Sequence, residues 1–192
     1  MLEPAAERSD PRLTSEEYFG LVAKGVLRPD DRVELLEGVV VAMSPQDPPH
    51  AAALRRADTA LRRALGPHAV ISVQSPLALG PHSVPEPDVA VVPGREADYD
   101  RAHPTTALLV IEVADSSLVQ DRVTKTRIYA AAAVPETWII NLRDDCVEVF
   151  RTPDPATRTY RATRVAQRGE SLDLVAFPEA RIAVDEVLPA TE

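Results

Sequence analysis

Two acidic residues stand where acids are expensive. Asp88 opens the apolar run Asp88-Val89-Ala90-Val91-Val92, directly after Pro85-Glu86-Pro87. Glu112 sits near the end of Ala107-Leu108-Leu109-Val110-Ile111-Glu112-Val113, the most hydrophobic strand signal in the chain. A carboxylate inside such a run is costly to bury unless it is paired or metal-bound. A loop separates the two runs, so adjacent strands can bring the acids together. Two carboxylates, a backbone carbonyl and waters form a hard-oxygen site suited to Mg²⁺. A cation there positions water, lowers its pKa and neutralises charge developing on a phosphate. Lys125 is the third candidate. It lies three and four residues before Ile128 and Tyr129, so on a helix it shares their face. If those two pack on a sheet, the ammonium points toward it as well, where it can orient a nucleophile or stabilise a transition state. Only Lys24 and Lys125 are lysines among the 21 basic residues. A Lys retained in a chain that otherwise uses Arg suits a role needing a compact charge of tunable pKa. Each residue also has a plainer reading: Asp88 as a strand-edge aspartate, Glu112 paired with Arg122 or Arg127, Lys125 solvated.

The elements that must position these residues are legible as a mixture of helices and strands. Thr14 with Glu17 forms a capping box for a helix running to about Lys24 and stopped by Gly25. Two apolar runs around Glu37-Gly38 predict a tight β-hairpin over residues 33–43. Asp47-Pro48 opens a second helix over about 49–65, with an apolar stripe of Leu54, Ala57, Leu61, Ala64 and Leu65. Three strands follow, over 69–79, 88–92 and 107–113; continuous apolar runs of this kind suit strands buried on both faces. Ser116 or Ser117 caps a third helix that continues to about Ala133, before strands at 137–142 and 146–151 joined by Asp144-Asp145. From Thr152 the pattern weakens to a short strand and a proline-bounded tail. The expected architecture is a mixed sheet flanked by helices and preceded by a hairpin.

Composition narrows the function classes. The 192 residues suit one domain, and a hydrophobic share of 45% supports a core. No run reaches the ~18 to 20 apolar residues that span a bilayer, and the N-terminal segment lacks the pattern of a secretory signal. The expectation is a cytoplasmic protein without membrane partners. Cys146 is the single cysteine, which excludes an intrachain disulfide and argues against a Cys-based zinc site; its alternating apolar surroundings suit a small core residue. A net charge of −9 argues against coating nucleic acid through bulk charge, so any such contact needs a local basic patch. Arg55, Arg56, Arg62 and Arg63 repeat at a spacing of seven on the second helix. They form either a solvated face or a phosphate-contacting patch.

The run Val33-Glu34-Leu35-Leu36-Glu37-Gly38-Val39-Val40-Val41-Ala42-Met43-Ser44-Pro45, followed by His50, resembles the opening of the bacterial Uma-two family within the restriction-endonuclease-like PD-(D/E)XK superfamily. Pro87 to Val92, Leu109 to Val113, and Lys125 to Ile140 resemble it further, in order, so that the likeness spans roughly residues 14–151. The resemblance implies a restriction-endonuclease-like α/β fold and a metal-dependent nuclease acting on nucleic acid. It places Pro87-Asp88 on the "PD" half of the motif and Glu112 on its second acid. Two residues later, where the superfamily has Lys, this chain has Ala114; Lys125 on the following helix takes the place of that Lys. Ala133 stands where the family often has Gly. Gln74, on the strand before Asp88, is a further candidate or an edge-strand surface residue. Glu34 falls in the opening motif and is read either as a hairpin-surface residue or as a metal ligand. His50 shares a face with Leu54 and Leu61 and is read either as a semi-buried histidine or as a base.

The reading divides the chain into a tail at 1–13, a restriction-endonuclease-like domain at 14–151, and a C-terminal strand and tail at 152–192 packed on the same domain. The expected activity is phosphodiester hydrolysis assisted by Mg²⁺ or Mn²⁺, with Asp88 and Glu112 as ligands and Lys125 supporting the attacking water. Two alternatives stand beside it: a nuclease fold that only binds, and a structural homodimer.

Overall fold

A computed structural model describes residues 12–190. Helix α1 (Ser15–Ala23) starts at Thr14, whose hydroxyl accepts from the Glu17 N–H while the Glu17 carboxylate accepts from Thr14, closing the expected capping box. Strands β1 (Val33–Leu36) and β2 (Val39–Ala42) pair antiparallel around Glu37 and Gly38. Both turn residues have positive φ, 50° and 83°, as a two-residue hairpin turn requires. Residues 1–11, most of the predicted tail, lie outside the described residues. Leu13 is already tied in, its N–H donating to the Gly38 carbonyl at 3.0 Å.

Helix α2 (Pro48–Leu65) begins at Asp47, whose carboxylate accepts from the His50 N–H at 2.9 Å. The main sheet has six strands in sequence order: β3 (Val70–Val73), β4 (Val89–Val92), β5 (Leu109–Ala114), β6 (Glu136–Asn141), β7 (Cys146–Asp154) and β8 (Thr159–Gln167). Among the described strands only β5 and β6 run parallel. A parallel pair needs a crossover, and here it is helical: α3 (Leu118–Gln120), a π-helical turn (Asp121–Lys125) and α4 (Thr126–Ala131). The chain is therefore α/β, a mixed sheet flanked by helices.

Strand alternation sorts side chains between the two faces. Val89, Val91, Leu109, Ile111 and Val113 pack against Ala53, Ala57, Ala60 and Leu61 of α2. Ala90, Val92 and Val110 face the other way, toward Ile128 and Tyr129 of α4. Glu112 has the parity of Val110, and Asp88 that of Ala90 and Val92. Both acids thus belong to the face covered by the crossover helix.

Three features differ from expectation beyond shifts of one to three residues at element ends. The first strand was expected over 69–79 but ends at Val73, because Gln74 takes a left-handed conformation (φ 44°) and Pro76 follows; proline cannot donate to a ladder. The third helix carries a π turn that no local sequence signal announces. The C-terminal part is more than a short strand and tail. It contributes β8 to the main sheet, the hairpin of β9 (Ser171–Leu174) and β10 (Phe177–Ala183), and the short helix α5 (Val184–Val187). Leu172, Leu174, Ile182, Val184 and Val187 join the main core. Most of β8 is exposed, so pairing with β7 rather than burial sets its place, and alternation in the sequence is faint. Cys146 is buried, as expected of a small core residue.

Ala133 ends the crossover helix with φ 56° and an exposed side chain. An L-residue pays roughly 1–2 kcal/mol there, and Gly only its greater unfolded-state entropy. Ala133→Gly is expected to stabilise the fold by about 0.5–1 kcal/mol, read as a raised urea midpoint with unchanged slope. A lowered midpoint would contradict the assignment of strain to this residue.

Candidate active site

The register of the sheet assembles the site. Val73 pairs with Val89, and Val89 with Ile111. Extending both registers by one residue sets Gln74, Asp88 and Glu112 in one row across three neighbouring strands. Directly opposed residues have Cβ atoms about 4.5–5.5 Å apart, so the row holds two carboxylates side by side. Asp88 is anchored on all sides. Gln74 Nε2 donates to Oδ1 at 3.1 Å, the Val113 N–H donates to Oδ2 at 2.8 Å, and His50 Nε2 lies 3.2 Å from Oδ2. The left-handed Gln74 also donates its backbone N–H to the Asp88 carbonyl at 3.1 Å. Strain of this kind persists where the surroundings over-determine it.

Lys125 comes from the helix above. Its Nζ lies 3.1 and 3.2 Å from the two oxygens of Glu112 and 3.2 Å from Oε2 of Glu34. Its side chain is only 7% exposed, so this is a buried ion cluster rather than a surface pair. Tyr129, one helical turn further, donates its hydroxyl to Glu112 Oε1. The π turn brings Asp121 in beside them: the Thr126 N–H reaches back five residues to the Asp121 carbonyl, and both Asp121 and Lys125 are buried. Turns of this type recur at functional sites. Arg122 and Arg127, the alternative partners for Glu112, are engaged with Glu148 and Glu37 instead.

Five carboxylates, Glu34, Glu86, Asp88, Glu112 and Asp121, line the same cleft against Lys125, Arg32 and His50. Electrostatics follow from that imbalance. Burial pushes Glu112 well above the ordinary carboxylate range, Lys125 opposing and the neighbouring acids adding to it. Burial likewise pushes Asp121 up to about 6 and raises Glu86, with Glu34 adding to the effect. Asp88 goes the other way: burial works against its charge, but His50 and the Val113 N–H hold its pKa below the usual value. His50 is raised in turn, its burial outweighed by Asp88. Lys125 is also raised, because the surrounding acids outweigh its own desolvation. It therefore stays protonated and acts as a cation.

The sequence candidates divide accordingly. Asp88, Glu112, Lys125, Gln74 and His50 meet in one cleft. Glu34, whose plainer reading was a hairpin-surface residue, is 2% exposed and inside the site; its Oε2 also accepts from the Glu86 N–H at 3.0 Å. The arginine stripe does not converge on it. Arg62 pairs with Asp58 and Arg63 with Glu186, while Arg55 and Arg56 are exposed on α2. Sequence reasoning missed Asp121, Glu86 and Tyr129. Asp121 had a usable signal, standing four residues before Lys125, the spacing of helical neighbours.

A family model described as "Putative restriction endonuclease", Uma2, matches residues 15–185. The chain belongs to the Uma2 family. The match runs well beyond residue 151 and takes in β8 to β10. A crystal structure described as "a putative nuclease belonging to DUF820 from Anabaena variabilis" is similar to this chain with a TM-score of 0.73 and 18% identity, over 91% of this chain and 97% of that one. The likeness extends the fold assignment to a solved structure. No curated protein matches. Among the described residues no helix is long and apolar enough to cross a membrane.

Replacing Lys125 tests the electrostatics. In Lys125→Met, Glu112 loses the cation that favours its charged form, so its folded pKa rises further above the unfolded value of about 4.3. Between those values the folded state holds a proton that the unfolded state releases, and stability falls as pH rises. The expected loss is about 3–5 kcal/mol at pH 8 and clearly less at pH 5, measured from urea midpoints. Equal losses at both pH values would show that Lys125 does not neutralise Glu112.

Proposed function

We propose that this Uma2 protein is a nuclease that hydrolyses phosphodiester bonds with the help of Mg²⁺ or Mn²⁺. The observation that carries the reading is the convergence of Asp88, Glu112 and Lys125 from two strands and a π-helical turn into one cleft with surplus negative charge. Hard carboxylate oxygens suit Mg²⁺, which keeps several waters and takes one or two protein carboxylates together with substrate phosphate rather than a full protein cage. The donor set fits that habit. Among the described residues no three acids, histidines or cysteines are already gathered about one point, whereas Asp88 and Glu112 stand side by side. These two would hold the ion. When bound, it would supply charge neutralisation at the phosphate and a more acidic water.

The chain's own residues have distinct tasks. Gln74, His50 and the Val113 N–H fix Asp88 in its charged form and orientation. Tyr129 and Lys125 orient Glu112. The Lys125 ammonium, permanently charged and already desolvated, meets negative charge on the attacking oxygen and phosphoryl group without reorganising, the arrangement that makes electrostatic stabilisation effective. Its distance in sequence from Glu112 is immaterial to this role, since only the position of the ammonium counts. Ala114 therefore does not remove the function of the motif's Lys.

One observation favours a second reading. Lys125 already pairs with Glu34 and Glu112, which is also how a retired site would hold itself together as a binding module. Cleavage separates the two. Purified protein is expected to degrade a nucleic acid in Mn²⁺ or Mg²⁺ and to lose that activity with chelator. Asp88→Asn, Glu112→Gln and Lys125→Met should each reduce the rate on the order of 10²–10³-fold. Full activity in chelator, or in Asp88→Asn, would rule out the proposed mechanism.

A further inference from the structure

Beside the cleft runs a second groove, and the two share a wall. Arg32, Met43, Gln74 and Glu86 line both. On its far side the groove is aromatic. The rings of Phe19 and His103 stack with centroids 5.2 Å apart and planes 12° from parallel. Tyr18 meets Phe19 edge-on at 5.7 Å. Arg28 and Arg32 are exposed along it; among the described residues the Arg28 guanidinium pairs only with Asp31, at 3.5 Å, with the Arg28 side chain 71% exposed. The cavity is about 510 Å³, within the range of small-ligand sites.

We infer that this groove is a stacking subsite for an unpaired nucleobase next to the scissile phosphate, and hence that the substrate is single-stranded or locally unpaired nucleic acid. The inference rests on the nuclease reading above and names its substrate class. The chemistry is specific. A flat aromatic pair with adjacent guanidinium groups offers a base its π-face and the flanking phosphates a charge. A base inside a duplex is already stacked on both faces and cannot use such a platform; unstacked bases are the ones that aromatic side chains take up. Continuity with the cleft sets the register, for a strand lying on Phe19 and His103 passes Arg32 and Gln74 to reach Asp88. Charge points the same way. A chain of net charge −9, whose Arg62 and Arg63 are held by Asp58 and Glu186, is poorly equipped for the many phosphate contacts on which duplex binding depends. Stacking supplies affinity that needs few of them. Glu86 on the shared wall carries the opposite charge, and Arg32 on the same wall offsets it.

Binding measured without turnover separates this inference from the catalytic one. The experiment uses fluorescence anisotropy in chelator at fixed salt, with a short labelled single strand and the same strand annealed to its complement. Phe19→Leu keeps the apolar contacts of α1 but removes the stacking face, and His103→Ala alters an exposed ring; circular dichroism checks that both fold. The expected result is single-strand affinity at least tenfold above duplex affinity, and about a tenfold loss in each variant for the single strand alone. Equal affinity for the two forms, no binding of either, or indifference to both variants overturns the inference. Cleavage assayed in parallel keeps the readings apart. Cleavage indifferent to Phe19 and His103 leaves the nuclease standing without the subsite. Platform-dependent binding with no cleavage in any divalent metal leaves the subsite standing without the nuclease.

Discussion

A protonated lysine buried among carboxylates is held by ion pairing and hydrogen bonding, and in this protein that balance ties together the elements around it. Lys125 lies within 3.2 Å of both Glu34 and Glu112. Removing Lys125 would leave buried carboxylates uncompensated, which is far more costly than losing a surface pair. The hairpin that delivers Glu34, the central strand that delivers Glu112 and the crossover helix that delivers Lys125 are therefore locked to one another through a single ammonium. The cluster still carries more negative than positive charge, and burial, with that surplus adding to it, raises Glu112, Asp121 and Glu86. On the proposed reading, a divalent cation bound here would let these acids ionise together.

Around the cluster, the backbone leaves its regular forms at Gln74 and at the π turn, among other places, and these two serve the site. Gln74 turns left-handed at the end of β3 and thereby lays its amide on Asp88. The π turn holds Asp121 and Lys125 together on the buried side of the crossover. The regular parts of the fold supply what these irregularities need. Small residues, Ala53, Ala57 and Ala60, line the buried face of α2, and the first turn of that helix holds His50 against Asp88.

Much of this was readable in the sequence, for identifiable reasons. Asp88 and Glu112 stood out because acids in continuous apolar strands must be compensated, and their pairing across β4 and β5 follows from a register that the loop length permits. Lys125 followed from sharing a helix face with Ile128 and Tyr129, which do pack on the sheet. Glu34 was ambiguous because the hairpin has one buried and one open strand, and alternation alone does not say which edge meets the rest of the molecule; the bridge between Leu35 and Val84 decides it. The π turn and the left-handed Gln74 left no local signature, since tertiary contacts rather than propensity maintain them. The C-terminal strands were faint because β8 is mostly exposed and its place is set by backbone pairing.

The central claim is that surplus carboxylate at this site exists to hold a divalent cation. Calorimetric titration of Mn²⁺ into wild-type protein and Asp88→Ala tests it most directly. The account predicts saturable binding to the wild type that Asp88→Ala abolishes. No saturable heat in the wild type, either alone or with a short oligonucleotide present to supply phosphate ligands, would contradict it and leave the cluster as a structural ion-pair core.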